Sequence, residues 1–296
     1  MFWKKTFIPL LFFVIAALVL ISALYVGVLL YWNVNTPEWL QWLFPYVVVL
    51  VMLTILGKRG FGDSLAERRI WRSRTRNSLF WGVLPIIITV LFVPCAKSLR
   101  YSFGQVLSIT SLNDLAPYQE SVFIEVSDWH ADRMRVIPIH TYDKLPFWFG
   151  NRRIELTSLF IVPVFSDIQA AYKTQARAWL AFSYTDRISF EELENGGDRD
   201  FYRSSTTHFK RLNINDFRYL EAFPRGKHYD LFKKMAQVHH FYNSDFSGVY
   251  QGQEVDRDVL SAYYAKYALF FGLLIGLPLI LILSLMLYWL GQSRNH

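Results

Sequence analysis

Four stretches of this chain run for about 20 residues, apolar and without an internal charged side chain, and each is long enough to cross a hydrocarbon core ~30 Å thick. They extend roughly from Phe7 to Trp32, Trp39 to Leu56, Leu79 to Ala96 and Tyr267 to Leu290. A chain of 296 residues that is 53% hydrophobic and 18% aromatic also carries more apolar surface than one soluble domain needs. The first stretch follows Lys4 and Lys5 as a secretory signal would. Its apolar core is too long for a signal, however, and a second apolar stretch follows almost at once, so it reads as a retained helix.

Cation placement sets the expected orientation, because short loops rich in Lys and Arg stay on the cytoplasmic side. Between the second and third stretches lie Lys58, Arg59, Arg68, Arg69, Arg72, Arg74 and Arg76, opposed only by Asp63 and Glu67. The connection from Asn33 to Glu38 has no cation. With Lys4 and Lys5 inside, the basic loop 57–78 is cytoplasmic, residues 97–265 are extracytoplasmic, and Arg294 returns to the cytoplasm with the tail. Residues 97–265 hold 20 Lys and Arg against 21 Asp and Glu, a net of −1, so the remaining segments carry +8 of the overall +7. The positive excess therefore lies in membrane flanks rather than in the globular part, which argues against a nucleic-acid partner. Within the loop, Ser64 to Glu67 matches a capping box, and Phe61, Leu65, Ile70 and Trp71 can share one side of a helix lying along the inner leaflet. Arg68, Arg69, Trp71, Arg72, Arg74 and Arg76 are then candidates for anionic headgroups; the alternative is a solvated loop with no specific lipid.

The expected architecture is a membrane protein of α+β class. Residues 1–96 hold three spans, 97–265 form one extracytoplasmic domain, and 266–296 hold the fourth span and a short cytoplasmic tail. The only cysteine, Cys95, falls at the end of a span, so the domain has no internal disulfide; nor does the sequence contain an Asn-X-Ser/Thr acceptor. Both features suit a bacterial inner membrane with a periplasmic domain.

The first half of the domain reads as strands. In SVFIEVS, Val122, Ile124 and Val126 alternate with Phe123, Glu125 and Ser127, and the residues from Arg133 to Tyr142 alternate likewise. These two segments are expected to pair through a turn at Asp128 to Asp132, with Pro138 placing the second at an edge or bulge. Ile154 to Phe165 is a nearly continuous apolar run suited to burial on both faces, and Ala178 to Tyr184 resumes the alternation. Together they predict a β-meander of four to six strands. After the polar stretch from Glu191 to Asp200, with its turn signal at Asn195-Gly196-Gly197, the pattern becomes helical. Asn215 is expected to cap a helix reaching Glu221. Asp230 is expected to open another, with Leu231, Met235, Val238 and Tyr242 as its apolar stripe. Glu254 to Lys266 should run without a break into the last apolar stretch, with Tyr263, Tyr264 and Tyr267 at the outer interface.

Candidate chemistry is sparse. Asp128, His130 and Asp132 alternate, so two carboxylates and an imidazole can converge on a divalent metal, although Asp is equally at home in a turn for backbone reasons. His239 and His240 are neighbours on an expected helix and point about 100° apart, which is poor geometry for one ion. His140, on a strand with Met134 and Val136, reads as a half-buried residue with one hydrogen bond or as a general base. No GxSxG, HExxH, CxxC, Walker or glycine-rich dinucleotide motif occurs. No cofactor and no metal site are assigned. Inside the spans the polar groups are Ser22, Thr54, Thr89, Ser284 and a few Tyr, which does not resemble an ion or proton pathway. Gly272 and Gly276 are spaced for close helix packing, with Pro278 following.

Three function classes remain. The first is an integral membrane interaction protein, a complex subunit, assembly factor or sensor whose extracytoplasmic domain binds another envelope protein or forms a homo-oligomer. The second is a metal-dependent enzyme of the periplasmic face using Asp128, His130, Asp132 or His140. The third is a transporter or channel subunit.

Overall fold

The computed structural model describes residues 2–30, 38–58, 74–115, 122–145, 153–168, 171, 175–176, 178–238 and 248–292. The chain divides into two compact units, Met1–Gly104 with Asp256–His296, and Gln105–Val255.

The first unit is helical, as its apolar runs require. Helix α1, Ile8–Leu24, is continued at both ends by wider π-type turns, Trp3–Phe7 and Tyr25–Leu30, and Pro9, which has no N–H to donate, sits just after the first of them. Helix α2 spans Glu38–Lys58 and α3 spans Arg74–Phe103, with Pro45 inside the first and Pro85 and Pro94 inside the second. The last helical segment is continuous: α7, Arg257–Phe271, passes through a π turn at Gly272–Gly276 into α8, Leu277–Gln292. Leu10, Phe13, Val14, Ala17 and Ile21 of α1 are buried at helical spacing against Leu84, Ile88 and Phe92 of α3 and Ile280 and Leu283 of α8. The opposite sides stay open and apolar; Phe12 of α1 is 70% exposed and Leu269 of α7 67%. Exposed apolar area on that scale fits a surface that faces lipid. Three helical stretches, Ile8–Leu30, Trp81–Phe103 and Arg257–Trp289, are long and apolar enough to cross a membrane, and Trp39–Ile55 forms a shorter apolar helix. They indicate a membrane-spanning protein.

Within this unit α3 and α7 are fastened side by side by polar contacts. Arg257 donates to the carbonyls of Tyr101 and Gly104, each at 2.8 Å, where α3 ends and its last acceptors lack helical donors. Ser98 donates to the Ser261 carbonyl at 3.0 Å, and the Tyr101 and Tyr264 rings stack 5.6 Å apart.

Among the described residues the second unit is built on an eight-stranded mixed sheet. The strands are β1 Val106–Ser111, β2 Phe123–Asp128, β3 His130–Ala131, β4 Ile137–Lys144, β5 Arg153–Phe165, β6 Ala178–Ser189, β7 Tyr219–Ala222 and β8 Gly248–Gln253. Their order is β1-β2-β7-β8-β6-β5-β3, and β4 also pairs with β5. The expected meander is therefore corrected: β1 with β2 and β6 with β8 are parallel, and β7 and β8, which follow helices in the sequence, sit in the middle of the sheet. The expected pairing of β2 with β4 is also corrected, since β2 pairs with β1 and β7, and β4 with β5. Alternation identifies a strand and its buried side but says nothing about its neighbour.

Strand β5 is buried on both faces, as its apolar run predicts. Its period of two places Phe160, Val162 and Val164 on one face with Leu180 of β6, where Phe209 covers them. Leu159 and Ile161 fall on the other face with Trp179, beneath Tyr229, Phe232 and Ala236. Phe209 belongs to helix α5, Gly197–Arg211, and the latter three residues to α6, Lys227–Val238, so the unit is a helix-sheet-helix sandwich.

Three local expectations change. The polar stretch before Asn195 holds a short helix, α4 Phe190–Glu194. Ser189 and Glu192 form a capping box there, with Ser189 N–H donating to Glu192 Oε2 at 2.7 Å and Glu192 N–H to Ser189 Oγ at 3.2 Å. Gly196 then adopts φ +86°, which a residue with a Cβ resists, and starts α5. Residues Tyr219–Ala222 are a strand rather than the end of a helix, because the Asn215 carboxamide oxygen accepts the Ala131 N–H at 2.7 Å instead of capping its own segment. Helix α6 buries Tyr229, Phe232 and Ala236, while Val238 of the expected stripe is 83% exposed; Tyr242 lies outside the described residues.

Candidate functional site

The segment from Asp128 to Asp132 does not form the expected hairpin turn. Asp128 ends β2, while His130 and Ala131 pair with Phe165 and Val164 of β5. Asp132 caps a single 3-10 turn, Arg133–Arg135, by accepting the Met134 N–H at 3.0 Å, and it pairs with the Arg135 guanidinium at 3.1 Å. Its carboxylate is thus engaged by backbone and by Arg135, both of which disfavour a cation beside it. Among the described residues no group of three His, Cys, Asp or Glu side chains is placed to hold a metal ion. His239 and His240 lie outside the described residues.

His140 sits on β4 opposite Ser158 of β5, not in a turn, and its neighbours are those of a packed strand face. Nδ1 lies 3.0 Å from Ser158 Oγ, and Ser205 Oγ of α5 lies 2.8 Å beyond that and 3.0 Å from the Tyr202 carbonyl oxygen. The ring packs against Tyr202 at 4.4 Å between centroids and meets Phe160 edge-on. With neutral His140 carrying its proton on Nε2, Ser205 donates to Ser158 and Ser158 to Nδ1. With the imidazolium every donor in the chain reverses, and Ser205 then donates to the Tyr202 carbonyl. Partial burial lowers the His140 pKa from its usual 6.5. Ser158 and Ser205 are buried, so neither hydroxyl can meet a substrate as a nucleophile. The chain of hydroxyls positions the β4 edge against α5.

That edge is the distinctive surface of the unit. Pro138, His140, Tyr142 and Lys144 are exposed, and Ile137, Ile139, Thr141 and Asp143 are half-buried on the other side. Pro138 has no N–H to give, so it must face away from β5, and by the period of two so do the backbone groups of His140, Tyr142 and Lys144. The odd positions make the bonds to β5, as the Leu145 N–H continues to do to the Arg153 carbonyl at 3.1 Å. Among the described residues no strand pairs with the outer side of β4. At its far end Asp143 accepts Lys227 Nζ at 2.7 Å.

The other sequence candidates divide. Gly276 is a packing residue: a Cβ there would lie 2.6 Å from Leu91 Cδ2 of α3, so its partner is within the same chain. Gly272 has nothing within 4 Å of such a Cβ. Arg68, Arg69, Trp71 and Arg72 lie outside the described residues, and Arg74 and Arg76 open α3. Inside the apolar helices Thr54 and Ser284 donate to their own helices, at the carbonyls of Leu50 and Ile280.

Sequence reasoning missed the Ser158–Ser205 pair, because two serines in separate, otherwise apolar segments leave no local signal. The edge was partly visible through Pro138. Comparison with family models, curated proteins and solved structures finds no match.

Proposed function

We propose that this chain is a membrane-anchored interaction protein that binds another protein through the β4 edge of its sheet. The observation that carries the reading is the outward row of backbone donors and acceptors at His140, Tyr142 and Lys144, with exposed side chains beside them. A bare edge of this kind invites strand addition unless something covers it. The metal-enzyme alternative is weakened by the engagement of Asp132 in a cap and an ion pair, and the channel alternative by Thr54 and Ser284 bonding to their own helices.

In this proposal the chain crosses a bacterial inner membrane four times, with both terminal segments in the cytoplasm and residues 105–255 outside. The cation asymmetry of the short loops supports that orientation. In a Cys95→Ser background, an impermeant thiol reagent applied to intact spheroplasts should label Asn195→Cys and spare Ser73→Cys; the opposite pattern would reverse the orientation. The binding reading is tested by placing a photocrosslinking residue at Tyr142 or at Arg187, on the exposed part of β6. Irradiation in native membranes should yield a protein adduct from position 142 and not from 187. Absence of any adduct at 142 would remove the interaction reading.

A further inference from the structure

We infer that the occupant of the β4 edge is a second copy of this chain, paired antiparallel to β4 about a two-fold axis at Thr141. The inference rests on the interaction reading above and names the partner.

The argument is one of register. Only the even positions of β4 turn their backbone groups outward, so two β4 strands can pair only with even opposite even. Three such registers overlap usefully. Placing His140 opposite its own copy sets two imidazoles face to face and leaves the Lys144 N–H beyond the end of the partner strand. Placing Tyr142 opposite its own copy sets Lys144 against His140, two groups that repel whenever the imidazole is charged. Centring on Thr141 sets His140 opposite Tyr142 in both halves, each pair exchanging two backbone bonds, and brings the Lys144 N–H to the Pro138 carbonyl. On the other side Asp143 then faces Ile139, and Thr141 faces Thr141.

In this register no like charges oppose one another, and an aromatic pair forms twice, which is the kind of cross-strand contact that stabilises a sheet. Pro138, which would block a strand requiring an N–H at that position, is needed only for its carbonyl. Lys144 and Pro138, the residues that discourage promiscuous edge pairing, therefore become partners in this one arrangement. Strand β1, the edge at the other side of the sheet, carries no charged side chain and imposes no comparable choice of register. The result is a sheet continued across two protomers.

The axis position makes the inference directly testable. Across a non-hydrogen-bonded antiparallel pair, Thr141 and its copy would have Cα atoms about 4.5 Å apart, within the range a disulfide spans. Asp143 and its copy would be about 13 Å apart along the strands. In the full chain carrying Cys95→Ser, in native membranes and in detergent, mild oxidation of Thr141→Cys should produce at least about tenfold more disulfide-linked dimer than Asp143→Cys. Adding Tyr142→Pro, which deletes an outward N–H and leaves the bonds to β5 intact, should reduce the Thr141→Cys dimer several-fold. Equal yields at 141 and 143, or a Thr141→Cys yield unaffected by Tyr142→Pro, would overturn the inference. If Thr141→Cys stays monomeric while the photocrosslinker at 142 captures a different polypeptide, the self-pairing is overturned and the interaction reading stands. If neither position captures anything, both fall.

Discussion

Gly252 offers the sharpest test of the packing around the centre of the sheet. It lies on β8 opposite Leu220, and the Phe217 ring lies flat over it: a Cβ on Gly252 would overlap Cδ2, Cε2 and Cγ of that ring. Because Cγ is among the overlapped atoms, rotation about the ring axis gives no relief, and the whole side chain must move. Phe217 in turn stacks on Trp129 at 6.2 Å between centroids and packs against Phe182 at the same separation. Displacing the ring incurs an overpacking cost of about 1–3 kcal/mol. Loss of the two aromatic contacts adds about 0.5–1.5 kcal/mol each. Alanine recovers roughly 0.5–1 kcal/mol of backbone entropy relative to glycine. Gly252→Ala should therefore destabilise the unit by about 3 kcal/mol, which for a domain of this size lowers Tm by roughly 6–12 °C. Thermal melting of the purified full chain in detergent, followed by near-ultraviolet circular dichroism, measures it. The double variant Gly252→Ala with Phe217→Leu separates the clash from any backbone effect, because the smaller side chain can clear the new methyl and the two costs should be strongly non-additive. A Tm for Gly252→Ala within about 1 °C of the parent, or fully additive costs, would refute the reasoning.

Gly276→Leu should destabilise the helical unit by about 2 kcal/mol or more because Leu91 stands in its way, whereas Gly272→Leu should have little effect, a contrast that detergent melting curves can read. His140 has its pKa lowered in the folded state, so the unfolded chain takes up its proton first; the stability this group contributes is present above pH 6.5 and is lost as pH falls through the lowered value. The fall in Tm between pH 7 and pH 5 should accordingly be smaller in His140→Gln than in the parent, and an equal fall would remove this role. Replacing Asp128, His130 and Asp132 together with Ala should leave the fold intact and cost about 1–2 kcal/mol, chiefly through the Asp132 cap and its Arg135 pair. Metal analysis should find the same content in parent and variant, and one tightly bound Zn²⁺ or Mn²⁺ lost on substitution would restore the enzyme reading.

What the amino-acid sequence determined by itself is whatever a single segment can express. Length and lack of charge marked the apolar helices, and continuous apolarity marked β5 as buried on both faces. A missing N–H placed Pro138 at an edge, and the pattern after Glu254 ran unbroken into the last apolar helix, as it does from Arg257 onward. Ser189 and Glu192 are equally local, and their capping box is legible in the sequence.

The tertiary structure decided everything that joins distant segments. Asn215 bonds to Ala131, 84 positions away, and so ends as a brace for β3 rather than as a helix cap. Helix α6 turned Tyr229 and Phe232 inward, where aromatic rings fill the space over Leu159 and Trp179; of the equally regular stripe Leu231, Met235 and Val238, the first two pack partly against that core and Val238 is left exposed. Strands β7 and β8, short and partly polar, entered the centre of the sheet because β2 and β6 left a place there with free backbone groups to satisfy. Periodicity belongs to one segment of chain, while pairing and facing are settled by competition among all segments for the same buried surface, and the exposed edge of β4 is what that competition left over.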